Sequence, residues 1–90
     1  MSKEVAFKHR DRFIQLGVAI AALRKLKGLS QENLAERAGI SRGLLSSIEA
    51  PNVVKSFSLE VLFDIAEALD MDAVELLNYA TFPEQLKYPK

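Results

Sequence analysis

The stretch that most constrains the fold of this 90-residue chain is residues 29–49, which have the pattern of two short helices joined by a tight turn. Ser30 is placed to cap the first helix, because its hydroxyl can accept a hydrogen bond from an early backbone N–H that has no helical partner. Gly39 follows the last turn of that helix, where a left-handed backbone ends the helix and glycine adopts it without strain. Ser41 is placed to cap the second helix. The stretch therefore predicts helix, glycine-containing turn, helix.

Helical periodicity continues on both sides of this motif. Residues 10–27 carry apolar side chains at three- and four-residue steps, and Gly28 ends this first helix. Pro51 prevents the second helix of the motif from continuing, and Ser58 caps a fourth helix. The apolar stripe of the first helix is Phe13, Leu16, Ile20, Leu23 and Leu26 or Lys27. The predicted buried stripe of the fourth helix is Leu59, Leu62, Ile65 or Ala66, and Leu69.

The end of the chain predicts a fifth helix followed by a tail. Asp72 and Glu75 are spaced as a capping box for a helix over residues 73 to about 80. Pro83 and Pro89 oppose a long helix in the tail, because proline lacks the backbone N–H. The predicted organisation is one all-α domain at residues 10–80, with an N-terminal arm at 1–9 and a C-terminal tail at 81–90.

Residues in and around the motif resemble the Cro and phage-repressor (XRE-type) family. Within the motif, the resemblance rests on Leu29-Ser30-Gln31, Leu34-Ala35, Ala38-Gly39-Ile40-Ser41 and Ile48-Glu49. Outside it, the matching residues are Leu23-Arg24, Gly28, Ser58-Leu59, Leu62, Ile65-Ala66 and Leu69. The resemblance covers roughly residues 16–77 and implies a five-helix, lambda-repressor-like DNA-binding domain whose third helix enters the major groove. It further implies a sequence-specific transcriptional regulator, which we expect to be a repressor. Because one reading helix covers only a few base pairs, we expect a homodimer that binds a palindromic operator.

Charge is unevenly distributed along the chain. Residues 1–57 hold ten Lys/Arg and five Asp/Glu, whereas residues 58–90 hold two and seven, so the formal net charge of zero conceals a basic part and an acidic part. The basic part contains the motif, which can orient that face toward phosphates. An ordinary solvated surface, on which basic and acidic residues happen to be unevenly distributed, explains these charge counts equally well.

Composition argues against several other functions. The chain has no cysteine and a single histidine with no second ligand candidate, so we expect no metal site and no cofactor. It also has no paired acid and base with a nucleophile and no glycine-rich phosphate loop, so we expect no enzymatic activity. The longest apolar run is too short to span a bilayer, and the N-terminus is charged and lacks an apolar signal core. We therefore expect a cytoplasmic protein that binds neither a membrane nor an evident small-molecule ligand.

The resemblance places the DNA-binding residues in and after the motif. Arg42 opens the third helix and suits guanine, whose N7 and O6 accept its two-pronged donor. Gln31 matches a family position that binds a phosphate and braces the reading helix. Asn52 and Lys55 are expected to hold the DNA backbone. The full predicted set is Ser30, Gln31, Ser41, Arg42, Gly43, Leu44, Ser46, Ser47, Asn52 and Lys55.

Two of these positions have more than one interpretation. Gly43 permits close approach of DNA, or is simply tolerated near a helix end, although glycine destabilises a helix by about 1 kcal/mol relative to alanine. Leu44 offers contact to a thymine methyl group, or covers the edge of the core. Many relatives carry polar residues at both positions, which leaves the base preference open.

Two further predictions concern the scaffold and the assembly. Arg24 and Glu49 match family positions that often form an ion pair joining the first and third helices. The fifth helix and the segment after it carry more apolar surface than one short helix can bury, which is typical of a dimer interface. The predicted interface is Val74, Leu76, Leu77, Tyr79 and Phe82. The alternative is a monomer whose core is covered by Phe82, Leu86 and Tyr88.

Two rival functions remain open at this point. One is a protein-interaction module that uses the same fold without DNA, which apolar Leu44 and the zero net charge would suit. The other is a narrower form of the regulator, namely the antitoxin or controller protein of a small operon that represses its own promoter.

Overall fold

The computed structural model describes the backbone of residues 9–87 and the side chains of residues 9–80, so most of the predicted N-terminal arm lies outside it. Within that range the chain forms five helices and no strand, which confirms the all-α prediction. The helices are α1 (Arg10–Leu26), α2 (Gln31–Ala38), α3 (Arg42–Glu49), α4 (Leu59–Ala68) and α5 (Ala73–Lys87).

Short-range chemistry defines where most of these helices begin and end. The hydroxyls of Ser30, Ser41 and Ser58 each accept a hydrogen bond from the backbone N–H three residues later, at 3.0, 3.0 and 3.1 Å. These bonds satisfy donors that have no partner inside the helix. Gly28 and Gly39 have φ of 72° and 71°, which ends α1 and α2 in the left-handed conformation. The α2–α3 pair is therefore the predicted helix-turn-helix.

The core takes at least one fully buried side chain from every helix. These are Ile20, Leu34, Leu45, Ile65, Leu69 and Leu76. Burying each of them stabilises the fold by about 1.5–3 kcal/mol relative to leaving it in water. Helix α1 packs against α3 and α5, α2 packs against α3 and α4, and α4 packs against α5. This arrangement leaves one face of α3 outside the core.

Two apolar residues that fit the helical periodicity lie outside the core. Leu59 is 67% exposed, so its predicted place in the buried stripe of α4 is wrong, and Leu26 is 80% exposed. Leu59 is the first residue of α4 and Leu26 is the last residue of α1. The apolar pattern thus continues into the terminal turns, but no neighbouring helix covers it there.

Helix α5 is longer than predicted. It continues to Lys87 and passes through Pro83, so the predicted end near residue 80 is wrong. Proline within a helix removes one backbone hydrogen bond, which weakens or kinks the helix without always ending it. At its start, the backbone N–H of Asp72 donates to Glu75 Oε1 at 3.0 Å, which is one of the two hydrogen bonds of the predicted capping box.

Candidate nucleic-acid interface

Helix α3 has a buried face and an exposed face that are defined by its sequence. Leu45, Ile48 and Glu49 are buried, whereas Arg42 and Gly43 are exposed. At about 100° per residue, Gly43 lies opposite the middle of the buried face. The outward face of α3 is therefore centred on Gly43, which has no side chain, and is flanked by Arg42, Ser46 and Ser47.

Most of the predicted DNA-binding residues are accessible. The exposed ones are Ser30, Ser41, Arg42, Gly43, Ser46, Asn52 and Lys55, and the half-buried ones are Gln31, Leu44 and Ser47. Leu44 packs against the core, which agrees with its interpretation as a residue that covers the core edge. Arg42 and Lys55 form no hydrogen bond or ion pair with another residue of the described part, so both cations are available to a ligand.

A charged network holds the C-terminal end of α3. Arg24 Nε donates to Glu49 Oε2 at 2.8 Å, and Arg24 Nη2 donates to Glu49 Oε1 at 3.0 Å. The same arginine donates through Nη1 to the carbonyl of Leu29 at 2.7 Å. Gln31 Nε2 donates to Glu49 Oε1 at 2.9 Å. One carboxylate thereby joins α1, the start of α2 and the end of α3.

This network is buried, and its side-chain polar atoms are satisfied. Arg24 is 9% exposed and Glu49 is 7% exposed. No buried side-chain nitrogen or oxygen in the part of the chain with described side chains lacks a hydrogen-bond partner. Because a paired arginine and carboxylate meet in a fixed planar geometry, the network restricts the orientation of α3 relative to α1 and α2.

Gly17 is a structural determinant of this site that sequence reasoning missed. It is buried where α1 crosses α3, and a Cβ built on it would overlap the backbone carbonyl of Ile48. Any side chain at this position would push the two helices apart. The available signal was a glycine inside an alanine-rich helix, where glycine is unfavourable unless close packing requires it.

Comparisons with known proteins agree with this geometry. The helix-turn-helix family model matches residues 20–76. The chain belongs to the helix-turn-helix family of Cro/phage-repressor type. The HTH-type transcriptional regulator SinR of Bacillus licheniformis is 40% identical over 63 residues, which are 70% of this chain and 56% of SinR. The chain thus matches only about half the length of that relative.

Two solved structures of similar proteins share the architecture. The restriction-modification controller protein C.AhdI from Aeromonas hydrophila is 34% identical with a TM-score of 0.66, over 71% of this chain and 94% of that one. The clp gene regulator ClgR from Corynebacterium glutamicum is 31% identical with a TM-score of 0.74, over 86% of this chain and 79% of that one. The helix-turn-helix assignment therefore rests on sequence and on three-dimensional similarity.

The predicted dimer surface of this helix-turn-helix protein is present only in part. Val74, Leu77 and Tyr79 on α5 are 63%, 44% and 49% exposed. Leu76 is fully buried, so its predicted place in an interface is wrong, and it belongs to the core. Phe82, Leu86 and Tyr88 lie outside the residues whose side chains are described. Beside Leu77, an apolar groove of about 150 Å³ is lined by Arg12, Phe13, Gln15, Leu16, Leu77 and Ala80.

Across the described residues, no helix has the length and apolarity that crossing a membrane requires.

Proposed function

We propose that this chain is a sequence-specific DNA-binding transcriptional regulator that inserts α3 into the major groove. The observation that carries the proposal is the combination of a free outer face and a fixed orientation. Arg42 and Gly43 face solvent at the start of α3, while Arg24 and Glu49 hold its other end in a buried ion pair. A helix that reads bases needs both an accessible surface and a rigid support.

The residues around α3 divide into a reader and backbone contacts. Arg42 lies at the end of α3 that reaches base edges in helix-turn-helix complexes, and its two-pronged donor matches guanine. Ser30, Asn52 and Lys55 are polar, exposed and outside α3, which suits them to phosphates. Phosphate neutralisation supplies much of the affinity, so binding weakens as the salt concentration rises.

Substitution of the two free cations tests the proposal. DNA fragments selected by the purified protein from a random pool define the operator, and binding is then measured on the operator and on random DNA. Arg42→Ala is expected to weaken operator binding by about 1–3 kcal/mol and to relax the preference at one base pair. Lys55→Ala is the matched control, because it removes one exposed cation outside α3.

The two variants should differ in which DNA they bind more weakly. Lys55→Ala is expected to weaken operator and random DNA alike and to reduce the slope of the salt dependence. Equal losses for Arg42→Ala on both DNAs would show that Arg42 is not a reader. A protein that DNA does not retain at any salt concentration would instead be an interaction module with the same fold.

The working form under this proposal is a two-fold dimer built on α5. One reading helix covers only a few base pairs, whereas two copies read a palindrome with half-sites about 34 Å apart. Exposed Val74 and Leu77 lie three residues apart on one side of α5, and the groove beside Leu77 can receive a side chain from the second copy. Tyr79, although exposed, lies about 160° around the helix from Leu77 and is outside this face. Together these features support a self-complementary face.

Sedimentation measures the dimer directly. Leu77→Glu is expected to convert the dimer to a monomer and to abolish tight operator binding while helix content is retained. Val18→Glu is the matched control, since Val18 is 47% exposed on α1. A wild-type protein that sediments as a monomer with and without operator, bound one per site, would contradict the dimer.

A narrower function is that of a controller that represses its own promoter. The observation that favours it is the match to C.AhdI, a restriction-modification controller protein, of which 94% is covered. Under this proposal, the DNA selected from the random pool also occurs upstream of the gene that encodes this chain. A reporter driven by that upstream segment should be silenced by the wild-type protein and not by Arg42→Ala.

A further inference from the structure

A second surface lies on the α4–α5 half of the molecule. It is an open groove of about 470 Å³ where α4 ends and α5 begins, lined by Phe63, Ala66, Glu67, Asp70, Met71, Asp72, Ala73 and Glu75. Its aromatic member, Phe63, is 54% exposed, although it lies in the middle of α4. Four apolar and four acidic residues thus line a groove that is open to solvent, and α3 contributes no residue to it.

The charged residues that line this groove are all acidic. Residues 58–80 contain no lysine or arginine and six acidic residues: Glu60, Asp64, Glu67, Asp70, Asp72 and Glu75. None of the six forms an ion pair with another residue in the part of the chain whose side chains are described. No ion pair therefore neutralises these carboxylates, and a cluster of negative charge repels nucleic acid and attracts cationic groups.

Asp70 is a residue that the fold alone does not favour. Its φ is 62°, a left-handed conformation that glycine and asparagine adopt more readily. It follows the carbonyl end of α4, where a negative charge is unfavourable. The turn closes through backbone bonds, from Asp70 N to the carbonyl of Glu67 at 2.9 Å and from Met71 N to that of Ala66 at 3.0 Å. The carboxylate is not needed for that closure.

We propose that this groove binds a basic amphipathic helix of a partner protein. An apolar side chain of the partner inserts beside Phe63 and Met71, and its lysines or arginines lie against Glu67, Asp70 and Glu75. The proposed match combines shape and charge, because the apolar lining residues select an apolar anchor and the acidic ones select basic residues beside it. The partner and DNA occupy different surfaces, so the proposal does not depend on the DNA-binding function.

A designed peptide tests the groove without knowledge of the natural partner. The probe is a short fluorescent peptide of leucine and lysine with leucines at three- and four-residue steps. The control peptide has the same composition in an order that breaks this spacing. Fluorescence anisotropy is expected to show tighter binding of the amphipathic peptide, weakened by salt. Amide chemical shifts of the labelled protein should change around Phe63 and Met71 and not along α3.

Two substitutions and two matched controls locate the binding energy. Phe63→Ala removes the exposed anchor and Asp70→Asn removes one charge while retaining a residue suited to the left-handed turn. Each substitution is expected to lower the affinity for the amphipathic peptide by about tenfold. Leu59→Ala and Glu60→Gln change an exposed apolar residue and an acid on α4 outside the groove, and should have little effect.

Several results would overturn the proposal. These are equal binding of both peptides, equal weakening by the controls, or shift changes centred outside the groove. A fourth is loss of self-association in Phe63→Ala without loss of peptide binding, which would make the groove a contact between copies of this chain. Thermal unfolding checks that each variant folds, and operator binding by Phe63→Ala should match that of the wild type.

Discussion

The α1–α3 half and the α4–α5 half of this protein differ in how their helices are held. Within residues 9–80, the two buried charged side chains are Arg24 and Glu49, and both belong to the first half. In the second half all the buried side chains are apolar. The first half carries the helix-turn-helix, and the second carries the acidic groove.

This difference indicates how precisely the helices of each half must be oriented. Apolar contact is non-directional and tolerates small shifts of one helix on another. A buried ion pair contributes little net stability, because desolvating both charges opposes their attraction, but it is satisfied only in a narrow geometry. The network is therefore best explained as a device that orients α3, and breaking it should affect the two halves unequally.

The largest expected effect is that of Arg24→Ala. The substitution leaves the Glu49 carboxylate buried without its cation, and among the described side chains only the Gln31 amide still donates to it. Because a buried unpaired charge is unfavourable, the free energy of unfolding should fall by about 4 kcal/mol. The double variant Arg24→Met/Glu49→Leu removes both charges and should recover most of that loss. Urea denaturation measures both variants.

DNA binding distinguishes orientation from stability in this comparison. The double variant should fold stably and still bind the operator more weakly than the wild type, because apolar contacts replace the directional bonds. If it binds the operator as tightly as the wild type, the network does not orient α3. If Arg24→Ala lowers the free energy of unfolding by less than an exposed substitution such as Phe63→Ala, the ion pair does not distinguish the first half from the second.

Gly17→Ala has the next largest expected effect. The added methyl group would overlap the carbonyl of Ile48, which is backbone and cannot rotate away, so α1 and α3 must separate. Overpacking of this kind should lower the free energy of unfolding by about 3 kcal/mol. The midpoint of urea denaturation measures it. An unchanged midpoint would show that the two helices can shift freely.

Local chemistry explains which parts of the fold could be predicted from the sequence. Ser30, Ser41 and Ser58 cap helices through bonds to residues three positions away, so each cap is visible in a short segment. Gly39 ends α2 because of its own backbone conformation. The Arg24–Glu49 contact spans 25 residues and was anticipated only through the resemblance to the family.

The features that could not be predicted depend on where helices meet. Gly17 is required by the carbonyl of Ile48, which lies far along the chain. Leu76 and Leu77 are neighbours of the same type, and only the placement of α5 on α1 and α4 buries the first and exposes the second. Leu59 continues the apolar stripe of α4 to a turn that nothing covers. The DNA contacts themselves remain predictions.

The smallest expected change in stability is that of Gly43→Ala, which also tests why α3 carries a glycine. The added Cβ meets no protein atom within 4 Å, in contrast to Gly17, and the φ of Gly43 is not positive. The fold therefore does not require glycine here. Alanine should raise the free energy of unfolding by about 0.5 kcal/mol, because it restricts the unfolded chain and favours the helix.

Operator binding should change in the opposite direction. Gly43 lies at the centre of the outward face of α3, so in the proposed complex a methyl group there would enter the space between the helix and the DNA. We expect a loss of about tenfold in operator affinity, measured by fluorescence anisotropy. Ser46→Ala on the same face, which removes a hydroxyl and adds no bulk, should weaken binding less. A more stable Gly43→Ala variant with unchanged affinity would show that DNA does not approach this residue and that its glycine is merely tolerated.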